Sequence, residues 1–496
     1  MKVHFDQSPA GQGKTERAIN SITNRKCKVL FVTERINSFG ELKVWMNKHA
    51  AIHGTAPVIE TISSDDRDRL GSVSRQIEAL PDRHRLRDHA IVIATHAAML
   101  RSDFRDFRDW EIIVDEVPAF LDFEEKRTHL DAAFFEKHYL LEHFEGCWSK
   151  VIATAAGLTL SPSDVGADQS HDHLAVFHRR VVEASQEGSR RFVLCNLPQW
   201  SAMKNREVKW GWASAFSLWE LAPFKRITLL GNRFRSDIGC RISEALNLDE
   251  IEWEELPSLK GKRQFQARRV HINYFSEDRT ASRNLFELDA GQLMLGEIGE
   301  RLSKELSGRD HIWTANNKHN AKKRGLSTPA EILGDAGLDG QKYLKPKQAG
   351  TNLHHKVSHA AIIYSAKASS AQASLLKVLQ IEREAWEQSI EHETILQFVT
   401  RTSIRDADNC SPVHLWVFDR AQALYLKDYF DGLDYVTASV ALVEEGPAIP
   451  GKEKRGPKPK DRSPNEQAEH DRKKRAKDAA RKRADRARKR ALKKAA

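Results

Sequence analysis

A run of small residues closed by a lysine and a hydroxyl, Ser8-Pro9-Ala10-Gly11-Gln12-Gly13-Lys14-Thr15, constrains this chain more than any other stretch. An apolar, strand-like segment (Val3 to Phe5) leads into it, and a helical pattern (Thr15-Glu16-Arg17-Ala18-Ile19) leaves it. In the order strand, small-residue loop, Gly-Lys-Thr, helix, successive backbone N–H groups and a helix N-terminus face a polyphosphate. Gly11 and Gly13 then belong to the cradle, Lys14 reaches the β- and γ-phosphates, and the Thr15 hydroxyl sits on Mg²⁺. One departure stands out: Ser8 occupies the place of the first glycine in G-x-x-x-x-G-K-T. The loop implies an NTPase.

Further apolar, β-branched runs follow at Cys27–Thr33, Pro57–Glu60, His89–His96 and Trp110–Glu116, the signature of buried parallel strands. In a doubly wound sheet, ligands collect at the carboxyl ends of such strands. The fourth run ends in two carboxylates, which an ATPase needs. Asp115 is suited to hold Mg²⁺ through its water shell, and Glu116 to polarise the water that attacks the γ-phosphate. An acidic strand end that caps the next helix is the plainer reading of that pair. Thr33 and Thr95 close two of the other runs, where strand-end loops could meet the phosphates of a bound nucleic-acid strand.

The pair stands as Asp115-Glu116-Val117-Pro118, which resembles the second nucleotide motif of the superfamily 1 and 2 (DEAD-like) helicases. Two stretches resemble that family's coupling motif: Val151-Ile152-Ala153-Thr154-Ala155, slightly preferred because it lies nearer Asp115, and Arg226 to Asn232. Ala349-Gly350-Thr351-Asn352-Leu353 resembles a second-domain turn that contacts nucleic acid, and a turn at Gly350 explains it equally well. Glu393 to Arg405 looks like the Gln-x-x-Gly-Arg-x-x-Arg motif, with Gln397, Arg401 and Arg405 at i, i+4 and i+8 on one helix face. Thr400 replaces its glycine, and the second arginine comes one residue late, so Arg401 is the firmer match. The resemblance implies an α/β fold of two RecA-like P-loop NTPase domains, parallel sheets flanked by helices. It further implies ATP and Mg²⁺, arginines reaching the γ-phosphate across a cleft, and a nucleic-acid partner. DNA is favoured over RNA as that partner, and replication or mobile-element proteins are expected company.

The expected domains are a nucleotide-binding domain over 1–160, an insertion and linker over 161–262, a second RecA-like domain over 263–446 and a basic tail over 447–496. Residues 452–496 hold 20 Lys or Arg against 7 Asp or Glu, more than the whole chain's net charge of +10, so the body is near neutral. With almost nothing apolar to bury, the tail reads as disordered or as a fraying helix that binds phosphates non-specifically. Trp200, Trp210, Trp212 and Trp219, interleaved with Lys204, Arg206 and Lys209, suit either base stacking or burial under an insertion. The five scattered cysteines form no C-x-x-C pair and read as buried free thiols in a reducing compartment. No apolar run approaches a membrane span and no signal peptide precedes the loop, so a cytoplasmic location is expected. The resulting expectation is an ATP-dependent helicase or translocase. The alternative is an ATP-dependent nucleic-acid-binding switch, or a remodelling ATPase without unwinding activity.

Overall fold

A computed structural model describes residues 1–9, 11–63, 72–128, 132–161, 165, 172–203, 208–246, 250–257, 264–317, 326–346 and 354–451. Residues 1–450 form one compact unit. Thr351 and the basic residues from 452 onward lie outside the described residues, as do the expectations attached to them.

The chain opens with β1 (Lys2–Asp6), β2 (Lys28–Thr33), β3 (Val58–Thr61), β4 (Ala90–Thr95) and β5 (Trp110–Asp115). It then leaves this layer for β6 (Leu121–Thr128), β7 (Tyr139–Glu145), β8 (Trp148–Ala153), β9 (Phe192–Asn196) and β10 (Val208–Ala215). These five pair antiparallel in the order β6-β10-β9-β8-β7. With β11 (Arg226–Leu230) and β12 (Glu252–Glu255) the chain returns, completing a seven-stranded parallel sheet in the order β12-β1-β11-β5-β2-β4-β3. A second parallel sheet, β14-β15-β16-β13-β17, is built from β13 (Arg268–Ser276), β14 (His311–Ala315), β15 (His359–Ile363), β16 (Val413–Asp419) and β17 (Val436–Leu442).

The parallel strands are apolar on both faces because helices cover both. In β2 every residue from Val29 to Thr33 is buried, and separate apolar cores form on the two sides of the first sheet, one around Leu30, Val92 and Ile112, the other around Phe31, Ile93 and Ile113. The second sheet repeats the arrangement.

Three expectations change here. The insertion spans β6 to β10, beginning near residue 121 rather than 161, and β11 and β12 belong to the first sheet. Glu254 and Glu255 lie on an edge strand rather than in a linker. Val151–Ala153 pairs antiparallel inside the insertion, whereas β11 sits between β1 and β5, beside the loop. Of the two candidate coupling stretches, it is the end of β11 that lies beside the loop. Proximity in sequence is not proximity in space here, because the insertion interrupts the first sheet.

The tryptophans fill the insertion. Trp210 and Trp212 are fully buried, and Trp200 is nearly so. All three pack edge-on or tilted around Phe177, with ring centroids 4.8–6.4 Å apart, and Trp219 lies under the Arg190 guanidinium at 4.6 Å. Base stacking by the three buried rings is excluded by their burial. All five cysteines are free. Cys27, Cys195 and Cys240 are buried as expected, but Cys410 is exposed. Among the described residues no helix is long and apolar enough to cross a membrane.

Another apolar core ties the insertion to both parallel layers. Trp148, Leu194 and Ala213 of the insertion pack with Ile238 and Ile242, on the helix after β11, and with Leu375, Leu376, Ile381 and Trp386, between β15 and β16.

Candidate active site

The loop leaves β1, which lies between the edge strand β12 and β11, and feeds the helix Lys14–Thr23. Gly11 and Gly13 have φ of 83° and 78°, conformations that only glycine adopts without strain. Gly13 caps the helix with no side-chain hydrogen bond, leaving the first N–H groups to face the loop. Lys14 Nζ donates to the loop's own carbonyls, Ser8 O at 2.5 Å and Pro9 O at 3.4 Å. Burial lowers its pKa, against the attraction of Asp115, Asp6, Glu393 and Glu116.

Across β11, two strands from β1, β5 ends at Asp115 and Glu116 follows it. Thr15 Oγ1 donates to both Asp115 oxygens, at 3.0 and 3.2 Å, so the loop and the strand end meet as the sequence expectation required. Asp115 and Glu116 keep some solvent exposure but sit deep in surrounding protein. Burial pushes the Asp115 carboxyl up to about 6. It pushes that of Glu116 to about 7, with help from Asp115 and Glu34 and against Arg401 and Arg405. Glu116 takes a left-handed φ of 59°, a strained conformation for a non-glycine residue, held by its N–H donating to Leu230 O at 2.9 Å. Behind it, His96 Nε2 lies 2.9 Å from Asp115 O. Burial takes that imidazole down to about 4, so it is neutral at pH 7 and donates to the carbonyl.

The opposite wall comes from the second sheet's layer. The helix Glu393–Val399 ends at Thr400, which closes it at an ordinary φ of −72°, so no glycine is needed there. Arg401 and Arg405 therefore lie on the turn beyond the helix rather than on one helical face, and Arg405 ends a 3₁₀ turn (Ser403–Arg405). Arg401 Nε donates to Gln397 O at 3.1 Å and Arg405 Nη2 to Thr400 Oγ1 at 3.4 Å. Arg405 reaches the loop: a Cβ placed on Gly11 would lie 3.4 Å from Arg405 Cγ. Buried Arg401 Nη1 and Arg405 Nε have no hydrogen-bond partner among the described residues. Burial, then the like charge of Arg405, lowers the Arg401 guanidinium to about 10, with Glu116 pulling the other way. The cleft thus lies between two parallel sheets flanked by helices, with the glycine loop and the carboxylates on one wall and the arginines on the other.

The outer residues of two motif stretches, Asn232 and Glu393, meet across the cleft, and Arg233, Ile238, Ser389 and Asp428, which motif reading gave no role, join them. Asn232, just past β11, donates to both Glu393 oxygens at 3.2 Å, and Ile238 N donates to Ser389 Oγ at 2.7 Å. Arg233, at a left-handed φ of 47°, donates to Asp428 at 2.8 Å and lies 5.4 Å from the Tyr425 and Tyr429 rings. Gln397 joins this network from its own helix by hydrogen-bonding Glu393. The strand-end threonines sit on neighbouring strands, Thr33 paired in register with Thr95. Thr33 is buried with its hydroxyl 3.4 Å from Ser38 Oγ, while Thr95 Oγ1 accepts from Ala98 N at 3.2 Å and caps a short helix.

Burial raises the Glu393 carboxyl to about 7, with Asp237 adding to the effect and Asn232, Lys14 and Gln397 opposing it. A carboxyl whose folded pKa is raised contributes stability that is complete below its unfolded value, near 4.5, and lost as pH climbs through 7. Glu393→Gln is therefore expected to raise the melting temperature of the nucleotide-free protein at pH 8 by about 2 °C. The gain should vanish by pH 5. Thermal melts across pH 5–8 check this, and a gain independent of pH would contradict it.

No protein-family model and no curated protein sequence matches the chain. Similar solved structures include S. tokodaii Xpd4, 9% identical with a TM-score of 0.42, covering 88% of this chain and 96% of that one. S. cerevisiae Dbp5 bound to RNA and ADP BeF3 is 8% identical with a TM-score of 0.35, covering 89% and 85%. The helicase MrfA bound to DNA and AMPPNP is 10% identical with a TM-score of 0.31, covering 89% of this chain and 50% of that one.

Proposed function

We propose that the chain is an ATP-dependent nucleic-acid helicase or translocase of superfamily 2 type, hydrolysing ATP in the cleft between its two parallel-sheet domains. One observation carries the reading. A glycine loop joined to a carboxylate pair on one wall faces two arginines on the other, each with a buried N–H group that has no partner among the described residues. Buried N–H donors without partners are costly, and an anionic phosphate entering between these walls would satisfy them.

In this reading the loop amides, Gly11, Gly13 and Lys14 hold the polyphosphate. Thr15 Oγ1 and the Asp115 carboxylate are hard oxygens already in contact, a donor set that suits Mg²⁺. That ion would neutralise phosphate charge when bound. Glu116 orients and deprotonates the attacking water. Arg401 and Arg405 donate to the oxygens on which charge builds in the transition state, and Gln397 steadies Arg401 through its carbonyl. Asn232 and Glu393 join the two walls at the end of β11, where a change at the phosphates reaches the second domain. A nucleic-acid track is proposed at the loops beyond Thr33 and Thr95, neighbours at the carboxyl end of the first sheet, with Thr351 proposed on the second domain.

Steady-state ATP hydrolysis with single-stranded DNA, duplex DNA and RNA tests the proposal. Stimulation by one polymer is expected, with Lys14→Ala at least about a hundredfold less active, and stimulation is expected to survive truncation after Gly451. Hydrolysis indifferent to every polymer would sink the motor. The second reading, a nucleic-acid-binding switch, draws support from the apolar core the insertion shares with both domains, which limits how far the cleft opens. Strand displacement with a fluorescent duplex separates the two.

A further inference from the structure

Ser8 breaks the loop pattern, and the structure shows what stands in for the missing glycine. At that position the chain must turn sharply off β1. Ser8 is not among the residues with positive φ, so the turn is not made by glycine's freedom. Asp6 makes it instead. Its Oδ1 accepts the Ser8 backbone N–H at 2.9 Å and the Ser8 hydroxyl at 2.6 Å, an Asx-type turn. The second Asp6 oxygen takes Arg17 Nη2 at 2.5 Å, and the same nitrogen lies 2.9 Å from Ser8 Oγ. Arg17 Nη1 donates to Gln12 O at 2.8 Å, on the residue before Gly13. One guanidinium thus ties the end of β1, the first loop residue and the middle of the loop to the helix that carries it.

The charge arrangement needs this partnership. A cation in the first turn of a helix sits at the wrong end of the helix dipole, so Arg17 is not there for helix stability. Asp6 is only 4% exposed, and a buried carboxylate without a partner is expensive. Burial works against its charge, yet the hydrogen bonds from Ser8 and Arg17 hold it below the usual carboxylate range.

We propose that Arg17 is a positioning residue for the nucleotide phosphates, holding the Ser8-containing loop through Asp6, Ser8 and Gln12 in the shape its amides need. The inference rests on the loop being the nucleotide site proposed above. A loop ordered before its ligand arrives loses less freedom on binding, so the brace shows up as affinity.

The test is calorimetric titration of the full chain with ADP and Mg²⁺, together with ATPase kinetics. Arg17→Ala is expected to weaken ADP binding about tenfold, and KM for ATP to rise more than kcat falls. In a Ser8→Gly background the same substitution should weaken binding less than about threefold, because the brace then has less to hold. Arg17→Lys keeps the charge beside Asp6 without the fork and should bind as weakly as Arg17→Ala. It also reports on the brace if the alanine variant misfolds. Equal losses in both backgrounds, full rescue by lysine, or wild-type binding by Arg17→Ala would each overturn the brace while leaving the nucleotide site standing. A wild-type chain that binds no ADP, indistinguishable from Lys14→Ala, overturns both.

Discussion

Arg405→Ala and Arg401→Ala are each expected to lower the single-turnover rate of ATP hydrolysis by about a thousandfold, while nucleotide affinity falls far less. The two guanidiniums are buried close enough for the charge of Arg405 to depress the ionisation of Arg401, and each keeps an N–H without a partner among the described residues. Two like charges held together out of water raise the energy of the empty cleft. That cost is repaid by an anion, and most fully by the transition state, in which charge spreads over the transferred phosphoryl oxygens. Arg405 lies against Gly11 of the loop, so its reach to bound phosphate requires no large movement. Lysine at either position should not restore the rate, since a point charge cannot reproduce two or three fixed donors. Single-turnover hydrolysis of bound ATP is the measurement. A rate within about threefold of wild type for either variant would remove that arginine from the mechanism.

These arginines also show what was legible in the chain. Local motifs read well because their geometry is local. The loop between β1 and its helix, and Asp115-Glu116 at the end of β5, are dictated by a few consecutive residues, and the structure brings Thr15 and Asp115 together. Helical spacing for Gln397, Arg401 and Arg405 was the natural reading, but the helix stops at Thr400 and the arginines lie on the turn beyond it. Strands with two apolar faces were recognisable, whereas the charged edge strands β6 and β12 were not. β6 (Leu-Asp-Phe-Glu-Glu-Lys-Arg-Thr) and β12 (Glu-Trp-Glu-Glu) carry charges that solvent accepts on an edge, and their sequences look like loops. Placing β11 beside the loop needed long-range pairing that no window of sequence contains, and with it went Asn232 and Glu393. The tryptophans were ambiguous for a related reason: spacing alone cannot tell a ring that stacks on a base from one packed on Phe177.

The cleft and the insertion bear on how such a machine could move. Asn232, Arg233 and Ile238 bond to Glu393, Asp428 and Ser389 along a short stretch following β11. The apolar core shared with the insertion continues this contact at Ile238 and Ile242 of the helix that follows. Polar contacts exchange partners at little net cost, whereas separating a shared apolar core exposes area at roughly 25 cal/mol per Å². Rearrangement should therefore concentrate at the polar seam around Asn232 and Glu393, with the insertion acting as the fulcrum.

Glu116→Gln is expected to lower the hydrolysis rate by about 10²- to 10⁴-fold and leave ATP bound. Glutamine has nearly the same shape, so the backbone that holds Glu116 at its left-handed φ, through Leu230 O, has no new strain to absorb. What is lost is an acceptor for the proton of the attacking water. Glu116→Asp keeps the acceptor but draws it back by one methylene, and misplacement of about 1 Å costs about a hundredfold. The aspartate variant should therefore be slow as well, by a different route. Because Glu116 and Arg405 face the same reacting centre, adding Arg405→Ala to Glu116→Gln should slow the reaction much less than it slows wild type. Multiplicative losses would mean that the two act on separate steps. The glutamine variant also sorts the functional readings, since it accumulates the ATP-bound state. A motor in that state grips its strand and displaces nothing, so duplex unwinding disappears together with hydrolysis. A switch needs only binding, and its complex with nucleic acid should persist at full strength with ATP while turnover is gone. Hydrolysis by Glu116→Gln within about threefold of wild type would place the water-activating group elsewhere and leave Glu116 as a strained strand end without a catalytic role.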